Sequence, residues 1–168
     1  KVDNTVESGK ATTYNVTGRI RGKSSEFQIL LGGHYDTHFW GFQDDCCAVG
    51  LVLAAAKAML DIGFEPENDI VFCLHGAEEW GSSYTQFDWT VGAWEMINTL
   101  HPEWVGKTLA FLNFELPAYE FATYTTTYSA PEMFSLLRDF TTRYPYAPKP
   151  QGCFPDGVLT EGYQTSTY

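Results

Sequence analysis

Histidine and carboxylate side chains follow three short apolar segments of this sequence. His34 comes directly after the first segment, adjacent Glu78 and Glu79 come shortly after the second, and Glu115 comes directly after the third. Asp44 lies at the start of a long segment rich in Ala and Leu. Zinc takes imidazole nitrogen and carboxylate oxygen as ligands, and a catalytic zinc site keeps one position open for water. These residue types predict a hydrolytic metal site if the fold brings the segment ends together.

The positions of these residues suggest a division of roles. Asp44 is the candidate for a carboxylate that bridges two zinc ions, which stand about 3.5 to 4 Å apart in hydrolytic pairs. Glu78 and Glu79 point in different directions in extended backbone, so one can ligate metal while the other takes a proton from an activated water molecule. Asp36 lies two residues after His34, and we expect its carboxylate to accept the second ring N–H of that histidine.

Strands and helices that alternate along the chain must position these side chains. Asp69 to His75 and Thr108 to Phe114 are continuous apolar runs, a pattern typical of strands covered on both faces. Phe27 to Gly33 is a further apolar strand. Tyr14 to Arg21 alternates like a half-buried strand, and we expect it to form an antiparallel pair with Phe27 to Gly33 across a turn at Gly22 to Glu26.

Two helices complete the predicted fold. Asp45 to Ile62 begins with Asp and is followed by Gly63, and Pro131 to Arg143 begins with Pro and is amphipathic. The sequence therefore predicts an α/β fold of three α/β/α layers around a mixed, mostly parallel central sheet, with residues 1–168 in one domain. Ligands of open α/β sheets bind outside the carboxyl ends of the strands, where the histidine and carboxylates lie.

Composition narrows the range of partners. The net charge of −11 and the pI near 4.6 argue against a nucleic-acid surface, which needs a concentrated Lys and Arg face. The sequence has neither an apolar run long enough for a membrane span nor the residue order of a signal peptide at its first residues, and the compartment stays open. Asn15-Val16-Thr17 fits a glycosylation acceptor, but so short a motif arises by chance too often to assign a compartment.

Three stretches of the chain together resemble a known family. Residues 33–37 (GHYDT), 43–45 (QDD) and 76–81 (GAEEWG) are similar to the zinc aminopeptidase family that includes bacterial leucyl aminopeptidases, glutamate carboxypeptidase and glutaminyl cyclase. The resemblance implies a metallo-exopeptidase, most simply an aminopeptidase, that acts on peptide substrates with two zinc ions in a complete domain.

The same resemblance assigns roles to individual residues. It implies that His34 binds one zinc ion, Asp44 bridges both ions, Glu79 binds the other and Glu78 is the general base. Glu115 stands where the family usually has an Asp ligand. Asp36 would support His34.

The chain departs from the family pattern at its end. The family takes a final His ligand from late in the chain, whereas no His follows His101 here. We therefore expect a peptidase-like catalytic domain that lacks its C-terminal part. Loss of that part would expose apolar surface that it normally covers, and we expect the chain to self-associate through this surface. Two other functions stay open: a catalytically inactive, peptidase-like binding domain, as in transferrin receptors, and acyl transfer with one zinc ion, as in glutaminyl cyclase.

Each of these residues also has a purely structural interpretation. Asp44 or Glu115 taken alone is more often a helix cap or a solvated charge. His75 is expected to be a buried imidazole rather than a ligand, and His38 is a candidate for the wall of the cleft. A set of aromatic residues could form a specificity pocket, although such residues more often pack in the core: Trp80, Trp89, Trp94 and Tyr119.

Overall fold

A mixed four-stranded sheet forms the centre of the computed structural model, which describes residues 9–81, 89–117, 125–126, 130–143 and 150–151. The strands are β1 (Val16–Ile20), β2 (Ser24–His34), β3 (Asn68–His75) and β4 (Thr108–Asn113), in the spatial order β1-β3-β2-β4. β2 runs parallel to β3 and to β4, while β1 runs antiparallel to β3. The predicted mixed, mostly parallel sheet is confirmed.

The predicted antiparallel pairing of the first two strands is wrong, because β3 lies between them. Val71 of β3 stands opposite Arg19 on one side and Leu30 on the other. A strand buried along most of its length takes an inner position, whereas the mostly exposed β1 lies at an edge. After the turn, Lys23 N–H donates to the carbonyl of Pro66 (3.0 Å), so the chain leads β2 alongside β3 instead of β1.

Helical segments cover both faces of the sheet, because alternate side chains of a strand point to opposite faces. One face packs against α1 (Cys47–Asp61), and its buried core consists of Leu31, Val52, Ile70 and Phe72. The other face packs against the π-helical turn Met96–Leu100, which follows α2 (Val91–Glu95), and the 3₁₀ turn Pro102–Trp104. Its buried core consists of Leu30, Val71, Cys73, Met96 and Trp104. This layering agrees with the predicted α/β/α architecture.

Helix α1 begins later than the sequence predicts. The residues before it, Phe42–Cys46, form a π-helical turn in which Asp44 and Asp45 have non-helical backbone angles and are joined by a cis peptide bond. Asp45 does not cap the helix, because its carboxylate accepts hydrogen bonds from other parts of the chain. Helix α3 (Pro131–Arg143) has the predicted bounds.

Coverage on both faces is confirmed for β3 but wrong for β4. Leu109 and Leu112 of β4 are 53% and 40% exposed. Within the described part of the chain, β4 is an edge strand with one strand neighbour, where β3 has two. Beyond this sheet, β5 (Thr125–Thr126) and β6 (Pro150–Gln151) form a short parallel pair. Within the described ranges, no helix combines the length and apolarity of a membrane span.

Candidate metal centre

The carboxyl ends of the three parallel strands bring the predicted site residues to one edge of the sheet. β2 ends at His34, which pairs in register with His75 at the end of β3, while Gly32 pairs with Asn113 at the end of β4. The loop after β3 carries the two adjacent glutamates and the segment after β4 carries Glu115. Parallel pairing therefore converts positions far apart in the sequence into neighbours.

His34 lies at the centre of this group and is 2% exposed. Its Nε2 atom is 2.9 Å from Asp44 Oδ1, 3.5 Å from Glu115 Oε1 and 3.9 Å from Glu78 Oε2. Two sets of three side chains hold donor atoms within 4.8 Å of one another, and both sets include His34. The first set adds Glu78 and Glu115, and the second adds Asp44 and Glu79.

Two donor atoms of the group are buried without a hydrogen bond. His34 Nε2 and Asp44 Oδ1 are 2.9 Å apart, close enough for an ion pair when the imidazole is protonated, yet neither atom forms a hydrogen bond with the residues that the structure describes. Buried polar atoms in proteins normally have one. Ligands of a tetrahedral zinc ion, each about 2.0 to 2.2 Å from the metal, stand roughly 3.3 to 3.6 Å apart. The 3.5 Å between His34 Nε2 and Glu115 Oε1 lies in this range, and the 2.9 Å to Asp44 is slightly shorter. The donor types and their spacing thus fit a zinc ion.

The electrostatics of the group also favour a cation. Burial lowers the pKa of His34, but the carboxylates of Asp36, Glu115 and Glu78 outweigh burial and raise that pKa to about 11. Burial and the negative charge of Glu115 raise the pKa of Asp45 to about 8. Both shifts arise because carboxylates crowd into a buried space, and a bound cation would offset their mutual repulsion.

Asp36 contacts more of the site than the prediction included. The ring Nδ1 of His34 lies 2.9 Å from the backbone carbonyl of Asp36 and 3.5 Å from its carboxylate. The carboxylate also accepts the backbone N–H groups of Glu78 (3.0 Å) and Glu79 (3.1 Å). The prediction considered only the sequence neighbour His34, whereas the fold places the loop after β3 against Asp36. A proton held on Nδ1 by the carbonyl leaves the Nε2 lone pair for a metal.

Asp45 is a site residue that the sequence analysis treated as the start of a helix. It is fully buried, accepting the His34 N–H (3.4 Å) and, through its other oxygen, the Leu116 N–H (3.2 Å). It therefore ties the end of β2 to the segment after β4. The adjacent Asp-Asp pair was the available signal, but spacing alone does not show which member faces inward.

Two more contacts were not predicted. Trp89, considered only as a pocket or core residue, donates its Nε1–H to Glu78 Oε2 at 2.8 Å. His38 Nε2 lies 3.4 Å from Glu79 Oε2, which places this exposed imidazole beside the candidate centre. Both contacts join residues that are distant in the sequence, and no local pattern encodes them.

Among the described residues, the remaining candidates belong to neither donor set. His75 is buried, as predicted, with its ring edge toward Phe111 at a centroid distance of 5.8 Å. Burial lowers the pKa of His75 to about 4. Trp80 is 64% exposed, and Tyr119 lies outside the described residues.

Known proteins share this sequence pattern. The chain is 31% identical over 119 residues to a probable leucine aminopeptidase 2 from Aspergillus fumigatus, which covers 70% of this chain and 21% of that protein. It is 30% identical over 107 residues to an aminopeptidase from Pseudomonas aeruginosa, covering 64% of this chain and 18% of that protein. The chain thus spans about a fifth of the length of these curated relatives.

Solved structures share the fold. A glutaminyl cyclase from an Acidobacteriales bacterium matches with a TM-score of 0.66 and 18% identity, over 84% of this chain and 52% of that one. A zinc aminopeptidase from Bacillus subtilis matches with a TM-score of 0.62 and 16% identity, over 83% of this chain and 33% of that one. The model of one sequence family, described as Peptidase family M28, matches residues 15–155. Because that match covers most of this chain, the chain belongs to Peptidase family M28.

Proposed function

We propose that this chain is a large part of the catalytic domain of a zinc-dependent aminopeptidase that hydrolyses peptide bonds. Membership of a peptidase family supports the reaction class, and the names of the curated relatives support the choice of an aminopeptidase. One observation carries the metal assignment: His34 Nε2 and Asp44 Oδ1 are buried 2.9 Å apart among carboxylates, and within the described residues neither atom forms a hydrogen bond.

In this proposal four side chains hold zinc. His34 and Glu115 would hold one ion and Glu79 the other, with Asp44 as the carboxylate shared between them, in agreement with the proximity of their donor atoms. Zinc supplies a Lewis acid for the scissile carbonyl and lowers the pKa of water. Asp36 orients both His34 and the two glutamates, through its carbonyl and its carboxylate respectively.

Glu78 is the proposed general base. Burial raises the pKa of Glu78 to about 7, even though the hydrogen bond from Trp89 opposes that shift. A carboxylate with such a pKa is partly ionised at neutral pH, so it can accept a proton from water and return it to the leaving amine. Trp89 holds one oxygen of Glu78 at 2.8 Å, which limits its rotation.

A second candidate function is acyl transfer with a single zinc ion, as the fold of the matched glutaminyl cyclase allows. The two donor sets share His34, and its Nε2 atom can bind only one ion at a time. The described residues thus offer one ion an imidazole and the other only carboxylates. One tightly held zinc equivalent would be compatible with either reaction. Hydrolysis of an aminoacyl substrate would select the peptidase.

The first test is zinc content per chain, by elemental analysis after dialysis against trace zinc. We expect wild type to retain at least one equivalent and Glu79→Ala to retain less. Glu78→Gln, which keeps the size of the side chain, should retain zinc but hydrolyse aminoacyl substrates far more slowly than wild type. Zinc-free wild-type protein would contradict the metal assignment, and zinc without hydrolysis would favour acyl transfer or the inactive binding domain over the peptidase.

A further inference from the structure

The asparagine of the Asn-Val-Thr triplet contacts the loop that carries the two glutamates of the site. Asn15 precedes β1, and its side-chain Oδ1 accepts the backbone N–H of Gly76 at 3.1 Å. Its Nδ2 donates to the carbonyl of Gly92, the second residue of α2, at 2.8 Å. Both ends of the amide are therefore used inside the protein.

The two glycines allow this close approach. A Cβ atom on Gly76 would lie 2.7 Å from the carbonyl oxygen of Tyr14, and a Cβ atom on Gly92 would collide with the carbonyl oxygen of Gly76. Backbone atoms form both obstacles, so a larger residue could be accommodated only if the segments separated. The N-terminal segment, the loop after β3 and helix α2 meet here without room for side chains.

The contacts continue from this junction to the site residues. Gly92 N–H donates to the carbonyl of Ala77 (3.4 Å), and Thr90 N–H donates to the carbonyl of Glu78 (2.8 Å). Asp36 holds the N–H groups of Glu78 and Glu79 from the other side. The short loop is thus fixed at its start by Asn15 and at its end by Asp36.

We propose that Asn15 is a positioning residue that sets the loop of residues 76–79, and through it the directions of Glu78 and Glu79. This inference rests on the proposed function, because it gives Asn15 a role through those two glutamates. It also gives the Asn-Val-Thr triplet a role unrelated to glycan attachment. Loss of the amide should loosen the loop while the sheet stays intact.

Amide hydrogen exchange of the metal-free chain tests the positioning directly. In Asn15→Ala we expect exchange at the N–H groups of Gly76, Glu78 and Glu79 to rise about tenfold, the effect of losing hydrogen bonds worth about 1.4 kcal/mol. The matched control is Ser25→Ala, which removes a part-buried side-chain bond to Asp69 (2.9 Å) at the other end of β3. That control should leave the three amides unchanged.

A second variant keeps the test decisive if Asn15→Ala does not fold. Asn15→Asp keeps an oxygen for the Gly76 N–H but removes the donor to the Gly92 carbonyl. We expect the Gly76 amide to stay protected while exchange at Glu78 and Glu79 rises by a smaller factor. Unchanged exchange at both glutamates in a folded Asn15 variant would overturn the proposal.

Zinc titration then links the junction to the metal centre. We expect Asn15→Ala to weaken zinc binding by about tenfold, the lower end for residues that orient ligands. In a Glu79→Ala background the same change should have no further effect, whereas independent effects would multiply and contradict the proposal. If wild type binds no zinc, the proposed function fails, while the exchange experiment still decides the role of Asn15.

Discussion

Two buried aspartates at opposite ends of the sheet have contrasting surroundings. Asp69, at the amino end of β3, is 1% exposed and accepts bonds from Arg19 (2.8 Å), the Gly22 N–H (2.8 Å) and Ser25 (2.9 Å). Asp45, near the carboxyl ends, is fully buried and accepts only two backbone N–H groups in the described structure, beside further carboxylates. The pKa values of the two carboxyls consequently shift in opposite directions.

The two carboxyls differ in whether their surroundings favour the charged form. Burial raises the pKa of Asp69, but its hydrogen bonds and the Arg19 charge more than offset this and hold the pKa below its usual range. Burial and Glu115 instead raise the pKa of Asp45 to about 8. The Asp69 charge at the amino end is neutralised within the chain, whereas in the proposed function a bound cation would offset the charges at the carboxyl end.

The largest expected effect is the loss of zinc-dependent stabilisation on removal of His34. Zinc at about 100 times its dissociation constant should stabilise wild type by about 2.7 kcal/mol, because it binds the folded state alone. His34→Ala should abolish most of this gain, since it removes the imidazole common to both donor sets. Thermal melts with and without zinc measure it. Asp69→Asn is the control and should keep the zinc response. If zinc stabilised His34→Ala as much as wild type, the carboxyl end of the sheet would not be the zinc-binding end.

The next largest effect is expected on neutralising Asp69, which should lower the stability of the protein and change how that stability depends on acid pH. Asp69→Asn should cost about 2 kcal/mol, because Arg19 loses its partner and buried donors lose an acceptor. The folded pKa of Asp69 is below its unfolded value of about 3.9. Its contribution is therefore present above about pH 4 and is lost as the pH falls through the lower, folded value. Urea unfolding from pH 7 to pH 2 should show wild type and variant converging at the acid end. A difference in the free energy of unfolding that stayed constant from pH 7 to pH 2 would show that the charge of Asp69 does not contribute to stability.

A smaller effect is expected from the hydrogen bond to the proposed base. The Trp89 N–H favours the charged form of Glu78, so Trp89→Phe should raise the pKa of Glu78 further. The acid limb of a hydrolysis pH profile should move to higher pH by less than about one unit, with unchanged zinc content. Trp80→Phe, at a 64% exposed residue, is the control. Equal shifts in both variants would indicate a general effect of aromatic substitution.

The smallest effect is expected from an exposed ion pair close to Asp69. Lys23 Nζ lies 3.2 Å from Glu67 Oε2, with side chains 63% and 73% exposed. Lys23→Ala should change the free energy of unfolding by less than about 0.5 kcal/mol, since water screens such pairs. Urea unfolding beside Asp69→Asn measures the difference. A comparable loss in both variants would mean that burial is not what makes Asp69 important.

The sequence by itself determined the residue types of the site and most of the elements that carry them. Apolar runs predicted β3 and β4 within one residue at each end, and Pro at the first position predicted the start of α3. The His and Glu residues could be assigned to strand ends because strand length and composition are local properties. Their convergence followed from the rule that parallel strands share a carboxyl edge.

Only the tertiary structure decided which segments became neighbours. β3 separates β1 from β2, although the turn at Gly22 favoured a direct hairpin. Asp36 binds the loop after β3, and Asn15 binds Gly76 across 61 positions of sequence. These contacts depend on how buried surfaces pack and on which backbone N–H groups then lack a partner. Local propensity carries no information about either, because both arise only when distant segments meet.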